Sequence, residues 1–98
     1  MTIEIKRTDA TAVLEISGRL DTSTAPALDK TIREDISETT ALTLDLQGLE
    51  YISSAGLRVL LTAQKRMQAS GSMRLIHVGE EVMEILDMTG FSDVLEIE

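Results

Sequence analysis

The sequence contains no cysteine, which excludes disulfide staples, thiolate metal ligands, thiol nucleophiles and phosphocysteine chemistry. A reducing compartment is consistent with this. Only two aromatic residues occur, Tyr51 and Phe91, too few to build a stacking platform for single-stranded nucleic acid. Positive charge is scarce too: nine Lys and Arg against seventeen Asp and Glu leave a net charge of −8, which repels nucleic acid and anionic lipid. Such acidity serves solubility or faces a basic partner. No segment approaches the ~20 apolar residues that cross a bilayer. Residues 1–20 also lack the basic start and unbroken apolar run of a signal peptide. The expectation is a cytoplasmic protein with no nucleic-acid partner and no membrane insertion.

Enzymatic chemistry finds little support. Ser54-Ala55-Gly56 is half of a Gly-x-Ser-x-Gly nucleophile elbow, but Ile52 stands at its first position and His77 is the sole histidine available as a base. A lone histidine at the end of a strand is read as structural. No glycine-rich phosphate loop with lysine occurs, and no His, Asp and Glu cluster has metal-ligand spacing, so neither a cofactor nor a metal is expected.

What is present is a regular apolar pattern from Ile3 to Ile97 without repeat or linker, which predicts one domain over residues 1–98. Ile3 and Ile5 alternate with polar neighbours. After the Thr8-Asp9-Ala10 break, Val13, or the pair Leu14 and Ile16, continues the alternation, which reads as an opening hairpin ended by Gly18. Thr22, Ser23 and Thr24 offer caps and Pro26 suits a first turn, so Ala25, Leu28, Ile32 and Ile36 form one face of a helix ending near Ser37. Leu42, Leu44 and Leu46 mark a short strand stopped by Gly48, half covered by helices or flanked by another strand. A second helix is predicted from Ser54 to Ala69 with Leu57, Leu60, Leu61 and Met67 inward, ending at Gly71. Met73 to Val78 reads as a strand, Glu80 to Met88 as a helix with Val82, Ile85 and Leu86 on one side, and Val94 to Ile97 as a last strand. Met67, Met83 and Met88 are assigned to the core. The alternation predicts an α/β fold with parallel neighbours and right-handed crossovers.

The turns of this pattern carry a resemblance. Gly18-Arg19-Leu20-Asp21, Leu44-Asp45-Leu46, Ser53-Ser54-Ala55-Gly56-Leu57 and Met88-Thr89-Gly90-Phe91 stand in the order and spacing of the STAS-domain proteins. The chain resembles in particular the bacterial anti-sigma factor antagonists. The resemblance implies a STAS-type mixed sheet: an opening hairpin, then alternating helices and mostly parallel strands. It also implies an anti-sigma factor that is a serine kinase as partner, a Ser/Thr phosphatase that restores the binding form, and phosphorylation on Ser54. Ser53 stands where many members carry Asp, and Ala55 where they carry a second Ser or Thr, which leaves Asp21 as the carboxylate that the resemblance puts closest to Ser54. The alternative within the family is a scaffold subunit of a transporter or stress-sensing complex that is never phosphorylated.

The residues bear on the same question by themselves. A serine at a helix start has free N–H groups ahead of it, here Ala55, Gly56 and Leu57, and these favour phosphate, while Gly56 allows another molecule to come close. Ser53 and Ser54 also suit an ordinary N-cap. Asp21 suits a cap acid for the first helix or a support for the phosphate loop. Arg58 faces either solvent or the kinase. The expected docking surface comprises Tyr51 to Arg58, including Ser53, Ala55, Gly56, Leu57 and Arg58, and the turn Asp21, Thr22, Ser23 and Thr24.

Overall fold

The computed structural model describes residues 1–36 and 38–98. Two strands, β1 (Thr2–Thr8) and β2 (Thr11–Leu20), form the opening hairpin. Helix α1 (Ala25–Lys30) continues into a π-helical turn, Thr31–Asp35. Then come β3 (Ala41–Ile52), α2 (Ser54–Ser70), β4 (Ser72–Ile76), α3 (Glu80–Thr89) and a short 3-10 turn, Phe91–Asp93. The sheet order is β1-β2-β3-β4, with the first pair antiparallel and the other two parallel.

Period-two alternation decides which face is covered. Leu14 pairs with Leu44 and Leu44 with Leu75, while Ala12 pairs with Leu42 and Leu42 with Met73, so apolar rows run across three strands. All six are 2% exposed or less. The register therefore follows Leu14 and Ile16 rather than Val13, which is half-buried. Helices cover that face: Ala25, Leu28, Ile32 and Ile36 are buried from α1 and the residues following it, Leu57, Leu60, Ala63 and Met67 from α2, Val82 and Leu86 from α3. Leu61 and Ile85 are half-buried. The predicted end of the first helix, Ser37, lies outside the described residues.

Four expectations are corrected. Gly18 does not end β2 but lies within it at φ +91, beside a register shift against β3. Gly48 does not stop β3, which runs on to Ile52. A side chain at Gly48 would bring its Cβ to 2.6 Å from Ser17 Cβ, so the glycine permits close strand approach at a bulge. The last strand is reduced to one parallel bridge, Leu75 to Ile97. Gly90, left-handed at φ 80, turns the chain into the 3-10 segment, and only the tail beyond it reaches β4, where Leu75 bonds Glu96 and Glu98. Met88 is no core residue but 79% exposed.

Candidate functional site

Strands β2 and β3 run in parallel and end side by side, Leu20 opposite Ile52. Their following loops therefore leave the sheet from one edge, the position where parallel sheets present ligand sites. The Ser53 N–H donates to the Leu20 carbonyl at 2.9 Å and ties the two loops together. The turn Asp21–Thr24 and the start of α2 at Ser53 and Ser54 are thus brought to one place.

The first loop is organised by Asp21. Its Oδ1 accepts from the Ser23 hydroxyl at 2.8 Å, the Ser23 N–H at 3.0 Å and the Thr24 N–H at 3.2 Å. The Ser23 hydroxyl, with these backbone donors, holds the carboxyl below its ordinary value of 3.8 despite partial burial. Thr24 Oγ1 accepts from the Asp21 N–H and donates to the Arg19 carbonyl, both at 2.8 Å. Asp21 thus folds the turn that leads into α1, whose N-cap is Thr24 without a side-chain cap bond, while Thr22 stays exposed. Arg19 lies 3.9 Å from the Asp21 carboxylate and stacks over the Tyr51 ring at 4.3 Å. Arg19 escaped the sequence reading because its place opposite Tyr51 depends on two register shifts between β2 and β3.

In the second loop the two serines divide the work. Ser53, extended at φ −98 and ψ 177, is the N-cap: its Oγ accepts from the Gly56 N–H at 3.4 Å and its carbonyl from the Leu57 N–H at 2.9 Å. The free donors of this helix start are therefore those of Ser54 and Ala55, not those of Gly56 and Leu57. Ser54, at the first helical position, is exposed. Gly56 is buried, and an added Cβ would lie 2.7 Å from Leu20 Cγ and 2.8 Å from Ile52 Cγ1. Its missing side chain thus serves the packing of α2 on the strand ends rather than the approach of another molecule. Leu57, 6% exposed, belongs to the core as well. Ala55 and Arg58 line a groove of about 360 Å³ with Thr22, Pro26 and Asp29 between α1 and α2. Arg58 is exposed and has no ion pair among the described residues.

The sequence profile of the STAS domain matches residues 2–98. The chain belongs to the STAS domain family. This STAS chain is 29% identical over 100 residues to the anti-sigma-B factor antagonist of Listeria monocytogenes, covering 99% of the chain and 88% of the relative. The crystal structure of an anti-sigma factor antagonist from Mycobacterium paratuberculosis superposes with a TM-score of 0.87 at 25% identity, over 98% of this chain and 83% of that one. The Bacillus cell fate determinant SpoIIAA in its phosphorylated form shares the fold, with a TM-score of 0.77 at 17% identity over 99% and 91% of the two chains.

Elsewhere in the STAS chain, the histidine has a local partner. His77 Nδ1 lies 3.0 Å from Asp45 Oδ1, on a backbone at φ 55 just beyond β4. Burial would raise the Asp45 carboxyl, but the hydrogen bond from His77 and the Gln47 N–H outweigh it and hold the group below 3.8. The pair joins β3 to the β4–α3 turn. No helix among the described residues is long and apolar enough to cross a membrane.

Proposed function

We propose that this STAS chain is an anti-sigma factor antagonist. It docks on an anti-sigma factor that is also a serine kinase, displaces the sigma factor by mutually exclusive binding, and is turned off by phosphate on Ser54. The observation that carries this reading is an exposed hydroxyl at the first position of α2, next to a turn held rigid by Asp21. The names of the relatives support the antagonist role.

In the kinase, Ser54 Oγ attacks the γ-phosphorus of ATP in line, the bond to the β-phosphate oxygen breaks, ADP leaves, and the kinase's base takes the hydroxyl proton. A Ser/Thr phosphatase later hydrolyses the phosphoserine. The fold tolerates the group. A phosphate at this position carries about −1.5 to −2 charges and gains ~0.3 to 2 kcal/mol from the helix N-terminus and its free N–H groups. The effect falls on docking instead: a new charge ~5 Å from an acidic group of the partner, at an effective dielectric of ~20, costs roughly 3 kcal/mol per unit charge before salt screening. That is ~100-fold in affinity.

Incubation with the candidate kinase and ATP, followed by mass-spectrometric mapping of the phosphopeptide, tests the switch. Modification on Ser54 is the expected result. A chain that binds the partner yet takes up no phosphate would instead be the scaffold subunit.

A further inference from the structure

The net charge is not spread over the molecule. Seven of the seventeen acidic side chains, and none of the nine Lys and Arg, lie between residues 79 and 98, so this segment carries −7 of the net −8. Helix α3 holds four of them, Glu80, Glu81, Glu84 and Asp87. Two have a local use: Glu80 and Glu81 fall in the first turn, where the macrodipole favours acids. The other two weaken the helix. Glu84 stands four residues from Glu80 and three from Asp87, like-charge spacings that are unfavourable on a helix surface. Asp87 lies near the C-terminal end, where the macrodipole opposes it and no basic residue compensates.

The same stripe exposes apolar surface. Met88, four residues beyond Glu84, is 79% exposed. With Val78, Met83, Glu80, Glu84 and Asp87 it lines a groove of about 570 Å³. Methionine is flexible and polarizable, and suits a surface that adapts to an incoming apolar side chain. Local rules broken without gain to the fold mark a surface kept for another purpose. Acidic side chains and the two methionines beside them together fit one kind of occupant.

We propose that the outer face of α3 docks a basic amphipathic helix of a partner protein, its apolar side chains on Met83 and Met88 and its Lys or Arg opposite Glu84 and Asp87. The acidic side chains repel anionic lipid and nucleic acid. The face lies on another helix than Ser54, so this proposal stands whether or not the switch does.

The test is a titration of the chain with a labelled synthetic Leu/Lys peptide whose leucines repeat at helical spacing, read by fluorescence anisotropy and by amide NMR shifts. Shifts should concentrate on residues 78–88. The double variant Glu84→Lys/Asp87→Lys and the variant Met88→Ser should each weaken binding by about tenfold or more. The control Glu34→Lys/Glu38→Lys, an equal charge change at exposed sites elsewhere, should leave it within about twofold. Equal loss in the control, or full binding by Met88→Ser, would reduce the effect to net charge and overturn the proposal. So would a homodimer in sedimentation that the α3 double variant dissociates, since a second copy would then cover the face.

Discussion

Helices α2 and α3 both start just after a strand or its turn, yet their starts are built in opposite ways. At α2, the Ser53 side chain caps the helix and Gly56 sits so close to Leu20 and Ile52 that no Cβ fits. At α3, the cap is Gly79, without a side-chain bond and with nothing within 4 Å of an added Cβ, and Glu80 and Glu81 complement the free N–H groups by charge alone. The first start is fixed by packing, the second by electrostatics. The proposed acceptor hydroxyl, Ser54, is carried by the fixed one.

Four substitutions and one change of condition sharpen this contrast. Gly56→Val should have the largest effect, a loss of about 2 to 3 kcal/mol in urea unfolding, because the new side chain has to displace Leu20 and Ile52. Ser53→Ala should cost about 1 kcal/mol by the same measurement, since it removes the cap of α2. Acidification should act on β3 and the α1 turn: Asp45 and Asp21 are both held below 3.8 by hydrogen bonds in the folded chain. Their stabilisation is present above the unfolded value and is lost as pH falls through the folded one, so thermal midpoints should drop below about pH 4. Asp45→Asn should flatten that drop. Gly79→Ser should have the smallest effect, a gain of a few tenths of a kcal/mol, as an N-cap is added where space is open. A loss at Gly79 as large as that at Gly56 would erase the distinction between the two starts.

The parts of the fold that follow a period were legible in the sequence. Ala25, Leu28, Ile32 and Ile36, spaced in the sequence for one helical face, are all buried although Ile36 lies beyond the helical residues, and Leu42, Leu44 and Leu46 of β3 are buried together. The glycines were not legible, because a lone glycine reads alike as a strand end, a bulge or a close contact. Gly18 and Gly48 lie at irregular places inside strands, and Gly56 is needed for a neighbour distant in sequence, Leu20. Long-range register placed Arg19 on Tyr51, and no local pattern encodes that. Met88 was misassigned for a reason visible in the spacing: it lies four residues after Glu84, on the acidic stripe, and not on the stripe of Val82 and Leu86. At the candidate site, the sequence indicated a helix start with two serines, and only the backbone decided that Ser53 caps while Ser54 is free.

The most direct measurement compares Ser54→Asp, Ser54→Ala and the parent chain for affinity to the proposed anti-sigma factor kinase, with the thermal midpoint of each recorded alongside. A phosphate-like charge should lower affinity by ~100-fold while the alanine variant binds as the parent does, and all three should melt together. Equal affinities for the three, or weakening that merely tracks a lower midpoint, would contradict a switch that acts on docking and spares the fold.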